Sequence, residues 1–348
     1  MNYTNTAKDI PTIRLLSQQL ASPQFRQVEE VVDWMGMLQA QEYKMMRWAA
    51  AMRTSEPSLA SFKKAYDSGL IVRTHLFRGT WQLVTSKDLM WMLSLCKERN
   101  RKLLKGYLSL AKQDINEAQY EHFNDLINNL LADKISIRKD ELLQILKDKG
   151  VQDDPYIISV YLLRAEFDGI ICSGHLDDNR ITYGLIKNRI QHPQTFEHEE
   201  ALALLAKKYF RSHSPASLKD FVWWTNLTVK DCRQAITAIQ NELTVIDINE
   251  EKYYVHQDCR TLANINKMML LPSYDEYLIG YKSRHFVLKK EYLSRAYSSN
   301  GIFHPVIARS GNIVGNWHPR KATPSFFEKE WEKEFYKALE VYHHFLKH

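Results

Sequence analysis

The chain has 348 residues, 45% of them apolar and 25% charged, with 12 glycines and 10 prolines, which excludes a low-complexity chain or a peptide needing staples and leaves room for two or three modules. A net charge of +6 leans towards polyanionic partners without the excess of a histone-like protein. Cys96, Cys172, Cys232 and Cys259 are scattered and form no C-x-x-C pair, the first twenty residues lack a secretory pattern, and no apolar run nears the roughly 18 residues of a membrane span. The composition therefore points to a cytoplasmic chain with neither membrane anchor nor metal cage.

In chain order, residues 8–20 and 27–38 read as helices, because Ile10, Ile13, Leu16 and Leu20, then Val31, Val32, Met35 and Leu38, recur near helical spacing. A helix over 58–68 ends before Gly69, and two β-rich runs, 70–75 and 79–84, follow as a hairpin. The same order returns between 120 and 186, where helical segments lead through 156–167 into a run at 169–172, a turn at 176–179 and a returning run at 181–185. It returns again from 198 to 256, with helices over 217–224 and 228–240 joined at Asn226, and strands over 243–248 and 252–255 around Asn249-Glu250-Glu251. Beyond this, 268–271, 302–307 and 313–317 form a further β region with a turn at Ser310-Gly311-Asn312, and Phe327, Trp331, Phe335, Leu339 and Tyr342 mark one face of a closing helix.

The expected fold is mainly α with β-hairpins (α+β): three tandem winged-helix units, a C-terminal β region and a closing helix. The expected boundaries are 1–118, including a linking helix, then 119–190, 191–260 and 261–348.

The most informative segment is Leu38-Gln39-Ala40-Gln41. Neighbours two apart diverge on a helix and share a face on an extended chain, so two amides serving one site exclude regular helix here. The plain alternative is that they cap a helix end or face solvent.

The run LQAQEYKMMRWAAAMR at 38–53, followed by RTHLFRGTWQLV at 73–84, resembles the opening of the AlkZ/YcaQ-like DNA glycosylases, a winged-helix family. SHSPASLKDFVWW at 212–224, LPSYDEYLIGYKSR at 271–284 and GIFHPVIARSGNIVGNW at 301–317 resemble its later segments, so the likeness covers nearly the whole chain. The resemblance implies a monofunctional enzyme that hydrolyses the bond between deoxyribose and an alkylated base, including bulky or crosslinked N7-alkylpurines. It places the family's Q-x-Q motif on Gln39 and Gln41 as the catalytic pair. It also implies double-stranded DNA carrying alkylated bases as partner, a monomer, a nucleoid-associated cytoplasmic location, and no cofactor. The rival is a winged-helix DNA binder or transcriptional regulator without chemistry, which would dimerise on two half-sites.

The chemistry is coherent in its own terms. An amide does not titrate near neutral pH, so a Gln pair catalyses only departure of a leaving group that is already activated. N7-alkylated purine carries a positive charge that cleavage neutralises while an oxocarbenium-like sugar develops. Two amide oxygens can hold the attacking water and stabilise that cation by their dipoles, with no metal or acid needed. Asp33 or Glu42 is the alternative base should the amides only position.

Around this pair, Arg47 and Arg53 stand one or two turns on, and His75 and Arg78 lie in the first wing, His75 as a proton donor or acceptor and Arg78 as a phosphate clamp. A second, basic and aromatic constellation joins Lys282, Arg284, His285, Lys289 and Lys290 to His304, Arg309, Trp317, His318, Arg320 and Lys321, suited to phosphate contact and groove insertion about a hairpin. The resemblance points to that hairpin too. Asp275-Glu276-Tyr277 is discounted as a metal or acid/base site, because adjacent side chains diverge and no His stands at ligand spacing. No phosphate-binding glycine motif indicates a nucleotide cofactor, and His343-His344 reads as surface.

Overall fold

The structure is a computed structural model, and it describes residues 7–110, 113–151, 154–177, 180–260 and 265–348. In chain order, α1 (Ile10–Ser17), α2 (Val28–Met35), β1 (Leu38–Gln39), α3 (Met45–Ala51) and α4 (Leu59–Asp67) precede the antiparallel pair β2 (Ile71–His75) and β3 (Trp81–Thr85), after which comes the long helix α5 (Ser86–Leu110). Next are α6 (Glu117–Leu130), β4 (Ile137–Arg138), α7 (Lys139–Asp148), α8 (Pro155–Phe167), β5 (Ile171–Ser173), β6 (Thr182–Leu185) and the short α9 (Ile186–Arg189). A third series holds α10 (His198–His213), β7 (Ala216–Ser217), α11 (Leu218–Thr225), α12 (Val229–Ala238), β8 (Leu243–Ile248) and β9 (Glu251–His256). The C-terminal part holds β10 (Met268–Leu271), α13 (Glu276–Ile279), α14 (Leu293–Ala296), β11 (Val306–Arg309), β12 (Asn312–His318), β13 (Thr323–Phe326) and α15 (Glu332–Lys347).

The order helix, short strand, helix, helix, strand, strand thus occurs three times, and the fold is tandem winged helix with a C-terminal β region and closing helix. Residues 178 and 179 of the turn expected at 176–179 lie outside the described residues. By packing, the chain divides into two compact units: Met1–Phe62 with Leu202–His348, and Lys63–Ala201.

In the unit Lys63–Ala201, the second winged helix closes a sheet in the order β4-β6-β5. Asn116 caps α6 in a reciprocal capping box with Gln119, and Asp154 caps α8 ahead of Pro155, so both helices begin where the sequence supplies an acceptor for orphan N–H groups. The core is apolar: Phe123, Ile127, Ile137, Leu142, Leu146, Ile158, Leu162 and Phe167 are all buried, with Phe123 stacked on Tyr161 at 4.8 Å. Burying each such side chain contributes roughly 1.5–3 kcal/mol.

In the other unit, the third winged helix repeats the topology as β7-β9-β8. Ser217 and Asp220 form a capping box at α11, and Asn226, at φ 54°, ends it in the left-handed conformation. Its wing turns on Asn249 and Glu250, at φ 50° and 64°, the paired positive angles of a two-residue hairpin. The C-terminal sheet runs β10-β11-β12-β13, with a second two-residue turn at Ser310 and Gly311 (φ 50° and 86°). Phe335, Leu339, Tyr342 and Phe345 give α15 its buried face, whereas Phe327 and Trp331 precede the helix rather than belonging to it. Trp48 of α3 donates to the Leu270 carbonyl at 2.7 Å and Trp317 of β12 to that of Leu271 at 2.8 Å. Among the described residues, no helix is long and apolar enough to cross a membrane.

Candidate active site and nucleic-acid interface

The Gln pair sits on non-helical chain. Gly36 ends α2 at φ 78°, a conformation costly for any residue with a Cβ, and an added Cβ would lie 3.1 Å from that of Lys208. The chain then extends through Leu38–Gln39. Gln39 is 4% exposed, Ala40 is buried and Gln41 is exposed. Glu42, one of the two alternative bases, is occupied structurally, since its Oε2 accepts the Met45 N–H at 2.5 Å at the start of α3. Asp33, the other alternative, is engaged by Lys208 at 2.8 Å and by Arg211 at 3.4 Å.

Arg47, on α3, is nearly buried and lies 5.1 Å from the Tyr43 ring. Arg53 departs from the expected phosphate contact. It is wholly buried, donates to both oxygens of Asp275 at 3.0 and 2.9 Å, and also donates to the Ala49 carbonyl and the Gln18 side chain. A guanidinium so committed supports the site's frame and does not reach a DNA backbone.

The adjacent carboxylates Asp275 and Glu276 diverge, as expected, but both are buried and both hold the Gln-bearing segment. Asp275 pairs with Arg53 and caps α13 at the Tyr277 N–H. Glu276 Oε1 accepts the backbone N–H of Gln39 at 2.7 Å, and its Oε2 accepts the Trp224 indole at 3.2 Å and faces His213 Nε2 at 3.4 Å. Burial is the main force lowering the His213 pKa below its usual value, with Glu276 opposing it, so this ring is neutral at pH 7. The sequence carried one sign of this arrangement, an Asp at the N-cap; the partner at residue 39 is too distant in sequence to be read.

Of the basic and aromatic constellation, Lys282, His285, His304 and Arg320 are exposed. Lys282 Nζ lies 4.8 Å from the Trp223 ring, and buried Asp220 accepts the N–H groups of Lys282 and Ser283 at 2.8 and 3.1 Å, fixing the strip's course. Arg284 is 8% exposed, donates to the Leu278 carbonyl and lies among Trp223, Tyr297 and Phe303; burial lowers its pKa, and it props the strip from beneath. Arg309 is engaged on both sides by Glu334 at 3.1 Å. Two expectations fail here. Trp317 is 3% exposed and packs at 5.1 Å on Tyr342, so it is core and cannot insert into a groove. The hairpin tip at Ser310-Gly311 is docked: the Tyr277 hydroxyl lies 2.7 Å from the Gly311 carbonyl and 3.1 Å from that of Pro11, and a Cβ on Gly311 would come within 2.6 Å of Pro11.

In the unit Lys63–Ala201, His75 ends β2, with its Nδ1 2.9 Å from Glu166 Oε2 and its ring 3.8 Å from Trp81. Glu166 is fully buried and also accepts from Thr74 Oγ1 and the His75 N–H, so the imidazole is held by a carboxylate that the sequence reading missed. Arg73 covers Trp81 at 3.7 Å. Arg78 sits at the turn of this hairpin at φ 63°.

Among the described residues, no three His, Cys, Asp or Glu side chains are grouped to hold a metal ion. The four cysteines form no disulfide and are buried, and burial pushes the Cys172 thiol to about 12 and that of Cys259 to about 11, away from the thiolate form.

The family model described as "DNA glycosylase AlkZ-like" matches residues 32–339. Repeated winged helices with this match define the class, a DNA glycosylase built on tandem winged helices. The chain belongs to the AlkZ-like DNA glycosylase family. It is 23% identical over 307 residues to the interstrand DNA cross-link repair glycosylase of Streptomyces sahachiroi, covering 83% of this chain and 81% of the relative. The solved structure of the Streptomyces sahachiroi DNA glycosylase AlkZ superimposes with a TM-score of 0.79 at 21% identity, covering 97% of this chain and 96% of that one.

Proposed function

We propose that this chain is a monofunctional glycosylase that removes N7-alkylated purines, crosslinked ones included, from duplex DNA, with Gln39 and Gln41 as its catalytic amides. The observation that carries the reading is that neither amide lies on helix, Gln39 being on the short strand Leu38–Gln39 and Gln41 at the bend just after it, so the pair escapes the divergence of two helical neighbours. A lesion's cationic base leaves as a neutral molecule, so the enzyme needs no acid; the amide oxygens orient water and meet the positive charge growing on the sugar. The Streptomyces relative, named for cross-link repair, supports the bulky-lesion class.

Lys282, His285, His304 and Arg320, exposed in one unit, and His75 and Arg78 in the other, supply contacts to the duplex, while Arg47, Arg53 and Arg284 brace the frame. The protein works as a monomer in the cytoplasm, on the nucleoid. The four expected segments, 1–118, 119–190, 191–260 and 261–348, are its structural modules.

The test is base release from a duplex holding a single N7-methylguanine or an N7 crosslink, read as an alkali-labile abasic site. Gln39→Ala and Gln41→Ala each lower the rate on the order of 100-fold, with DNA binding retained, and the double variant loses less than the product of the two. A fully active double variant removes the assignment.

A further inference from the structure

We infer that Glu276 is a positioning residue for base release: its carboxylate fixes the backbone of Gln39 in the extended form, and with Asp275 it clamps both ends of the segment that carries the amide pair. The inference rests on reading Gln39 and Gln41 as the catalytic amides.

The segment from residue 39 to residue 53 carries Gln39, Gln41 and Arg47, and it is gripped at its first and last residues by two consecutive carboxylates. At one end Glu276 Oε1 takes the Gln39 N–H at 2.7 Å. At the other, Asp275 takes both guanidinium nitrogens of Arg53 at 3.0 and 2.9 Å. The two grips reach out in different directions from adjacent residues, whose Cα atoms one planar peptide holds about 3.8 Å apart, so their bases cannot part.

Glu276 is only 2% exposed, and a carboxylate persists at that depth when its oxygens receive donors. Its donors come from separate elements: the β1 backbone and the indole of Trp224 on α11. His213, at the end of α10, adds a neutral ring at 3.4 Å from the same Oε2. The carboxylate therefore ties Gln39 to the third winged helix.

The consequence for chemistry is geometric. Both amides must address one sugar, and an error near 1 Å in placing a reacting group costs about 100-fold. Were residue 39 to turn helical, the side chains of 39 and 41 would diverge. The hydrogen bond to Glu276 opposes that turn.

Two substitutions separate reach from charge. Glu276→Gln keeps the length and an oxygen for the Gln39 N–H, while its amide N–H can donate to neutral His213 and only the Trp224 indole loses its acceptor. Glu276→Asp keeps the charge but withdraws the oxygen from Gln39. Single-turnover release of N7-methylguanine from a duplex, with affinity for the unmodified duplex and near-ultraviolet circular dichroism measured alongside, reads the result. Glu276→Asp lowers the rate by about 10-fold or more with unchanged duplex affinity, and Glu276→Gln retains most of it. In a Gln39→Ala background, Glu276→Asp costs less than it does in the otherwise unchanged chain, because only Gln41 is left for the clamp to place. Glu276→Asp at the wild-type rate, a reversed order of the two variants, or a loss that multiplies with that of Gln39→Ala would overturn the inference. A fully active Gln39→Ala, by contrast, sinks the amide reading before any Glu276 variant is made.

Discussion

The second and third winged helices share an order of elements and a strand topology, yet they use their interiors differently. The second, closed by β4-β6-β5, fills its centre with Phe123, Ile127, Leu142, Leu146 and Ile158. The third, closed by β7-β9-β8, buries Ser217, Asp220, His213 and Trp224, and these polar atoms engage Glu276 and the N–H groups of Lys282 and Ser283. An apolar core is indifferent to direction, whereas a buried hydrogen bond has one. The second copy directs one side chain, through buried Glu166 on His75, whereas the third directs the Gln-bearing segment and the backbone at 282–283, so repetition of a fold does not imply repetition of its role.

The contrast can be broken most forcefully in the second copy. Phe123→Ala is expected to lower stability by about 3–5 kcal/mol in denaturant titration, while turnover per folded molecule stays at the wild-type value; a fall in turnover without a fall in stability would erase the distinction. In the third copy, Asp220→Ala is expected to remove about 3 kcal/mol and also to weaken duplex binding. Asp220 is fully buried, 3.8 Å from Arg14, and aligns the backbone at 282–283. Binding that survives this change would show the strip to be held otherwise.

A smaller effect comes from pH. Burial depresses the pKa of His213, and likewise that of His256, below 6.5 in the folded chain. The unfolded chain takes up its protons near 6.5, so the stability from these rings is present above that pH and drains away as pH falls through it towards the folded values. The melting temperature should therefore decline from pH 7 to pH 5, each ring contributing at most about 1.4 kcal/mol per pH unit. His213→Gln flattens part of that decline; an unchanged slope refutes the neutral ring. The smallest change is expected at the surface: Lys282→Ala and Arg320→Ala each reduce the salt dependence of duplex binding by about one counterion, whereas Arg309→Ala, whose cation is already met by Glu334, leaves that slope alone.

Much of the frame was legible from residue pattern. Strands Leu243–Ile248 and Met268–Leu271 fall where their β-rich runs end, and Asn226 marks a helix end because it tolerates the left-handed angle that closes α11. What escaped has physical causes. Helix α3, MMRWAAA, is buried on every side, so it offers no apolar stripe against a polar one. Strand β13 is a half-exposed edge carrying Pro324, a residue that argues against a strand until an edge position excuses it. Within the site, spacing marked Gln39 and Gln41, but their support by Glu276 and the grip of Glu166 on His75 span 237 and 91 residues of chain. Aromatic composition misled at Trp317, since an indole among basic residues looks the same whether it faces a groove or a carbonyl.

The two-residue turns at 249–250 and 310–311 end their hairpins in opposite circumstances. Asn249 and Glu250 are exposed, while Gly311 is enclosed against Pro11 beneath the Tyr277 hydroxyl. Loop tips are ordinarily where proteases nick a folded chain. The wing at 249–250 is open to such cleavage, whereas the bond between Ser310 and Gly311 is shielded until the N-terminal helix lifts away, so limited digestion times the release of that helix.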